Sequence, residues 1–531
     1  MTKESFLRGA VILAAASTLS RLVGIAYIIV LPRLISDQGM GLFQLVKPLH
    51  YLAAVLAIGG MPVAVSKLIA EKAAQGRVQG LKQVFRSAVT IMSCTGLGVA
   101  LSLILGARFF AAAFARDLTL QPIIAILGPA CFFLALSAAW RGFFQGLQYM
   151  TPTAVSQVVD QLVRVSVSLY LGLRLRPRGI EFAVSGLAWG SVLGEFVGWL
   201  VLVAYYLGRK RALLDKIKKS SADTPEHPWD LFRNLFSLAV PVVVVTILWP
   251  IMQLADSVLI PVRMEFAGYS PDAVRQGLGH LGMALAISQL PNIITVALST
   301  SLIPAVSEAW ALGNKKMVRR RAGKALRIVL IFGLPAFTFL YFLAQPLALV
   351  LFGYPQVGAP LRILAAGSVT LGLIQAATGI LQGLGKMNIP VRNLFLGVVL
   401  KFSLNYILVA HPAWGVLGAA WSTVAAWTVV ALLNLAAVWR RIGLMLPLSK
   451  GVLKPLFSAF ATAIFSYYLQ DTLARWWPLA AAAFFSGALG LSLYFLLLVM
   501  GGSLQKKDLD SIPLVGPCLG SFLQTWGFLH S

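Results

Sequence analysis

Five ionisable residues stand where an apolar chain would be expected to have none. Arg21 interrupts "AAASTLSRLVGIAYIIVLP", Lys47 lies in "QLVKPLHYL", Arg164 in "VVDQLVRVSVSLYL", Asp256 in "PIMQLADSVLIP" and Lys401 in "VLKFSLNYIL". A charge at the centre of a bilayer costs at least about 2.5–3.5 kcal/mol, so such residues face a bundle interior or a wet cavity. Four of the five are basic. A guanidinium offers planar, permanently protonated donors and an ammonium a compact point charge. The chemistry on offer is therefore recognition of an anion inside the membrane.

Each charge also has a plainer reading. Arg21 could pair with a carboxylate on a neighbouring helix, and Lys47, beside the helix-disrupting Pro48, could snorkel to the interface. His50, one turn after Lys47, is the weakest candidate. Asp256 could pair with Arg21 or Lys47 in the empty site, bind a coupling cation, or form a fixed pair with Arg263. Arg164 follows Asp160 by four residues, so an ion pair along one helix is the default. Lys401 has Gly397 in place of that acid. Glu195, among Gly186, Gly190, Gly194 and Gly198, reads as a packing or hydrogen-bonding residue.

The elements that must position these charges are membrane spans. Of 531 residues 58% are hydrophobic and only 12% charged, half the charge of a soluble domain. Apolar stretches of about 20 residues, enough to cross a bilayer core, recur from residue 9 to residue 500 and number about fourteen, among them 9–32, 42–66, 120–140, 151–173, 236–261, 281–304 and 453–470. The fold class is an all-α polytopic membrane protein, and the alternating segments of a β-barrel are missing. The opening "MTKESFLRGAVILAAAS" is read as an uncleaved first span, because the apolar character runs on to Pro32. Most of the 44 Lys and Arg fall in loops on one side, notably "RKRALLDKIKKS" and "NKKMVRRRAGKALR". This pattern predicts a plasma-membrane protein with both termini in the cytoplasm. The net charge of +26 is thus topogenic, with anionic lipids as contacts and no nucleic-acid partner implied. The three cysteines and five histidines show no metal or disulfide spacing, and no phosphate-binding loop exists. We expect a transporter, not an enzyme, without cofactor or metal.

Internal repetition gives the organisation. "FQGLQYMTP" (144–152) returns as "LQGLGKMNIP" (381–390), "LVRVSVSLYL" as "VLKFSLNYIL", and "GLAWGSV" (186–192) as "GAAWSTV" (418–424). The second echo sets Arg164 opposite Lys401. More loosely, "MPVAVSKLIAE" (61–71) matches "IPAVSEAWA" (303–311). The expected layout is a six-helix lobe over 1–207, a cytoplasmic linker over 208–235, a second six-helix lobe over 236–440, two appended helices over 441–500 and a tail over 501–531. Six spans per half give both halves one orientation, as in transporters with parallel repeats and a site between them.

The blocks "GMGLFQLVKPLHYL…GGMPVAVSKLIAE", "ALSTSLIPAVSEAWALGNKK" and "GILQGLGKMNIPVRNLFLGVVLKFSLNYILV" resemble the multidrug/oligosaccharidyl-lipid/polysaccharide exporter superfamily, in its sporulation branch. The likeness covers nearly the whole chain. It extends more weakly to the lipid II flippases, which share fourteen spans and a Ser-Arg pair in the first helix, here Ser20-Arg21. This chain departs from them at Tyr27 and Ala286, where those flippases carry arginines, so only Arg21 carries over directly. The resemblance implies a monomeric flippase that moves an undecaprenyl-diphosphate-linked saccharide for peptidoglycan or spore cortex by alternating access. Arg21, Lys47, Asp256, Lys401 and Arg164 become its candidate substrate contacts, with wall-synthesis proteins as partners and a coupling cation as an option. Two readings compete: a cation-coupled multidrug exporter or exporter of lipid-linked polysaccharide units, and a membrane scaffold for wall synthesis.

Overall fold

The computed structural model describes residues 6–214, 227–443 and 453–502, and every regular element among them is helical. The expected linker is thus described only in part, and the tail beyond 502 lies outside the described residues. The helices cluster into two compact units, Met1–Glu265 with Ser270–Gly279, and Phe266–Tyr269 with His280–Ser531. In order, the first contains α1 (Phe6–Ile58), α2 (Met61–Ala74), α3 (Val78–Leu105), the short α4 (Ala107–Phe110), α5 (Gln121–Gly146), α6 (Met150–Leu175), α7 (Ile180–Leu214), α8 (Pro228–Thr246) and α9 (Leu248–Phe266). The helix α10 (Pro271–Ser288) begins in the first unit and ends in the second. The second holds α11 (Asn292–Ala311), α12 (Lys315–Phe342), α13 (Ala344–Phe352), α14 (Gly358–Leu364), α15 (Gly367–Gly383), α16 (Asn388–Leu408), α17 (Gly415–Ile442), α18 (Lys454–Leu473) and α19 (Leu479–Met500).

Nine helical stretches among the described residues are long and apolar enough to cross a membrane. The first, Val11–Ala74, takes in the first two expected spans, which run together as α1 across a kink at Ser36 (φ 66°, ψ 177°). Gly59 and Gly60, both at positive φ, then end α1, and Pro62 sits in the first turn of α2. Positive φ is the conformation glycine adopts without steric cost, and a proline at a helix start loses no needed donor. The segments expected at 151–173, 236–261, 281–304 and 453–470 are also helical, as α6, α8–α9, α10–α11 and α18.

The two units repeat each other at the level of individual helix crossings. A Cβ placed on Gly146 would lie 2.7 Å from both Ser66 O and Ile69 Cβ; one on Gly383 would lie 2.9 Å from Ile303 O and 2.8 Å from Val306 Cβ. All three pairs of positions share one offset of 237 residues (146 to 383, 66 to 303, 69 to 306). The same offset relates Gly96 against Phe132 on α3 and α5 to Gly333 against Val369 on α12 and α15. In each pair a missing side chain admits the neighbouring backbone, the close approach that small residues permit between membrane helices. One echo read from sequence is out of register. Pro62 matched Pro304 by letters, but Gly142 packs on Pro62 O as Gly379 packs on Ser299 O, each at 3.0 Å. What repeats is the packing position, five residues from the letter match.

Candidate functional site

The glycine run of α7 builds the first unit's polar centre. Cβ atoms on Gly186, Gly190, Gly194 and Gly198 would each come within 3.0 Å of α6, at Leu171, Ser168, Asp160 and Asp160 in turn. This is the close packing that spacing by four predicts. It leaves room beside Gly194 for the Asp160 carboxylate, whose Oδ1 is 2.8 Å from the Cβ position.

Into that seam Arg164 donates from Nη2 to Asp160 Oδ1 (2.9 Å), Asp160 Oδ2 (3.2 Å) and Glu195 Oε1 (2.7 Å). Arg141 Nη2, from α5, stands 4.0 Å from Asp160 Oδ2 and donates to Ser156 Oγ at 3.4 Å. Two guanidiniums thus face two carboxylates with no net charge, the condition under which ions are tolerated in a helix bundle. The pair between Asp160 and Arg164 is the one expected from the sequence. Glu195, only 6% exposed, does more than pack, because its carboxylate is a second anchor for Arg164. Arg141 falls just outside the span that hydropathy ends at 140, whereas α5 continues to Gly146. Charge balance against the two acids Asp160 and Glu195 is the signal that points to a second cation.

The second unit carries the same frame with different chemistry. Ser156, Asp160, Arg164 and Ser168 on α6 correspond to Asn393, Gly397, Lys401 and Asn405 on α16, again at an offset of 237. Gly418 meets Leu408 as Gly186 meets Leu171, and Gly397 meets Val430 and Ala426 where Asp160 meets Gly198 and Gly194. Lys401 is 4% exposed on this face. About two turns before it on α16, at the place of Ser156, an amide chain stands: Asn393 Nδ2 donates to Asn434 Oδ1 (2.8 Å), and Asn434 Nδ2 to Thr378 Oγ1 (3.3 Å). Thr378 occupies the position of Arg141, and Trp427 that of Glu195. A basic residue at the same place in both units, half-buried in the first and buried in the second, is common to the two.

The remaining candidates differ in their surroundings. Ser17 Oγ donates to Gln157 Oε1 at 3.3 Å and Ser20 Oγ to Gln157 O at 3.4 Å, while Gly24 faces Gln161, so this stripe of α1 packs on α6. Arg21 lies about 70° round the helix from that stripe, at 3.6 residues per turn. Its side chain is exposed and makes no hydrogen bond or ion pair among the described residues. Lys47 is half-buried between rings one turn either side, with Nζ 6.0 Å from the Phe43 centroid and 5.6 Å from that of Tyr51. That arrangement suits a cation–π contact. His50 meets Cys131, with Nδ1 3.7 Å from Sγ. Asp256 is half-buried on α9 and pairs with neither Arg21 nor Lys47. Arg164, Asp160, Glu195 and Arg141 are thus gathered into one cluster, whereas Arg21 and Lys47 stand apart from carboxylates.

Comparison with known proteins agrees with this architecture. The family described as "Polysaccharide biosynthesis protein" matches residues 6–310, and the MatE family matches residues 241–407. Stage V sporulation protein B of Bacillus subtilis (strain 168) is 30% identical over 528 residues, covering 97% of this chain and 99% of that protein. The lipid II flippase MurJ of the same organism is 28% identical, over 76% of this chain and 78% of its own. Among solved structures, a MurJ lipid II flippase in an inward closed conformation gives a TM-score of 0.67 at 15% identity, covering 93% of this chain and 98% of its own. An inward-facing multidrug transporter of the MATE family gives 0.67 at 17% identity, over 80% of this chain and 94% of its own. These two share the fold. The chain is a multi-pass membrane protein that belongs to the polysaccharide biosynthesis protein family, as a stage V sporulation protein B-like member of the multidrug/oligosaccharidyl-lipid/polysaccharide transporter superfamily.

Proposed function

We propose that this protein flips an undecaprenyl-diphosphate-linked saccharide, a lipid II-like precursor of peptidoglycan or spore cortex, to the outer leaflet by alternating access. The observation that carries the reading is Arg21, a permanent cation in the first span with no partner among the described residues. Such a charge is unfavourable in a membrane unless an anion meets it, and a diphosphate supplies one in the geometry a guanidinium grips with two bonds. Lys47 adds a second cation on the same helix, beyond the kink at Ser36. Arg164, half-buried, and Lys401, buried, stand at matching positions and are proposed to set the polarity of each half rather than to grip substrate first. The names of the relatives, a lipid II flippase and a sporulation protein, favour the same reading. Energy then comes from substrate gradients, the membrane potential or a coupling cation; a charge crossing the field is worth about 2.3 kcal/mol per 100 mV. The positive-inside bias of the sequence favours cytoplasmic termini. The test is reconstitution of the full chain in vesicles with lipid II, followed by head-group accessibility from outside. Headgroups should become accessible with the protein and stay inaccessible without it. Transport of cationic drugs without movement of lipid II would favour the multidrug reading instead.

A further inference from the structure

One end of the second unit carries a group of exposed basic side chains. The helices α11 and α15 run parallel, since Gly379 meets Ser299 and Gly383 meets Ile303, while α12 runs against them, with Gly372 on Val329 and Gly333 on Val369. The end of α11, the start of α12 and the end of α15 therefore share one end of the unit. Arg319 ties α17 to them, because its guanidinium donates to Ile442 O, a last-turn carbonyl of α17. A basic side chain is a favourable cap for such carbonyls.

Around this joint Lys315, Lys316, Arg320, Arg440 and Arg441 are all exposed. Of the carboxylates among the unit's described residues, Glu308 lies at this same end and is neutralised by Arg321 at 2.9 Å, and Asp471 holds Arg475 at 3.6 Å. The helix itself does not explain the placement. Lys315 and Lys316 open α12 with no acid in its first turn, where the positive end of the helix dipole disfavours cations. Interleaved with the charges are exposed apolar side chains, Trp310 and Trp439 foremost, the residue type that settles at headgroup level.

We propose that this surface is a binding site for anionic phospholipid, its headgroup phosphate held by Arg320, Arg440 and Arg441 and its glycerol region against Trp439. The assignment does not depend on what the protein transports. A basic cluster placed only to orient the chain attracts anionic lipid diffusely, so removing three of its arginines changes little while the rest of the net charge remains; a site loses its lipid when those three are removed.

The test uses the full-length protein purified in a neutral detergent, titrated with dioleoyl-phosphatidylglycerol or dioleoyl-phosphatidylcholine and read by native mass spectrometry. Phosphatidylglycerol should bind at least tenfold more tightly at low salt and approach phosphatidylcholine at about 1 M salt, where the screening length falls to about 3 Å. The triple variant R320Q/R440Q/R441Q should lose about a hundredfold in phosphatidylglycerol affinity, from roughly fivefold per charge, with phosphatidylcholine binding unchanged. Equal affinity of the two lipids for the unaltered protein overturns the proposal, and this arm needs no variant to fold. Unchanged phosphatidylglycerol binding by the triple variant overturns it as well.

Discussion

Replacing Arg164 with alanine should destabilise the protein by breaking one specific contact, and the structure sets the size of the effect. Glu195 is 6% exposed, accepts from Arg164 at 2.7 Å, and has its second oxygen Oε2 without a hydrogen-bond partner. Without Arg164 that carboxylate is left unpaired in the bundle, whereas Asp160 keeps Arg141 at 4.0 Å. Removing one member of a buried pair costs about 3–5 kcal/mol. Glu195→Gln alone leaves Arg164 bonded to Asp160 and gives up one charge-assisted bond, about 1.5–3 kcal/mol. In the double variant the stranded charge is gone, so its cost should fall below the sum of the single costs by about 2–3 kcal/mol, the upper range for contacting residues. The assay is unfolding of the four proteins in mixed dodecyl maltoside and dodecyl sulfate micelles, followed by loss of helical circular dichroism. Additivity within about 0.5 kcal/mol, or a wild-type midpoint for Arg164→Ala, would refute a buried ion cluster.

Further outcomes follow from single contacts. Gly194→Ala sets a methyl 2.8 Å from Asp160 Oδ1 and 2.9 Å from Arg164 Cβ; the overpacked seam should lose about 1–3 kcal/mol in the same micelle assay, and an unchanged midpoint contradicts the close α6–α7 packing. Asp117 accepts from Arg275 Nη2 at 2.7 Å and Nε at 3.0 Å, both partly buried, so Asp117→Asn should cost roughly 1.5–3 kcal/mol, which Arg275→Gln measured alongside it should match. Cysteines introduced at Lys316 and at Arg176 should label oppositely with an impermeant reagent in intact cells. Arg176 should react and Lys316 should stay shielded; the reverse would invert the proposed orientation.

Much of this architecture was legible in the letters because membrane helices leave strong traces. Apolar length gives the spans, and the echoes at 144–152 and 381–390 give the repeat, since small residues recur wherever two backbones must touch. The pair of Asp160 with Arg164 was legible from spacing alone. Three features were not. The kink at Ser36 joins two spans without a proline or glycine at the bend to mark it. Arg141 lies a little over a turn from the end of α5, within the range by which hydropathy misplaces a helix end. The pairing of Glu195 with Arg164 crosses from one helix to the next, and sequence periodicity holds no record of which neighbour a buried acid meets. The Pro62–Pro304 match shows the opposite error, a letter likeness that the packing does not follow.

The central claim is that Arg21 receives a diphosphate. It is tested most directly by lipid II binding and flipping with Arg21→Ala and Arg21→Lys in reconstituted vesicles. Because Arg21 is exposed and has no partner among the described residues, Arg21→Ala should fold and insert with unchanged stability. It should nonetheless lose both binding and transport. Arg21→Lys should recover part of each, since an ammonium keeps the charge but not the planar fork. Full lipid II binding and transport by a well-folded Arg21→Ala protein would contradict the account.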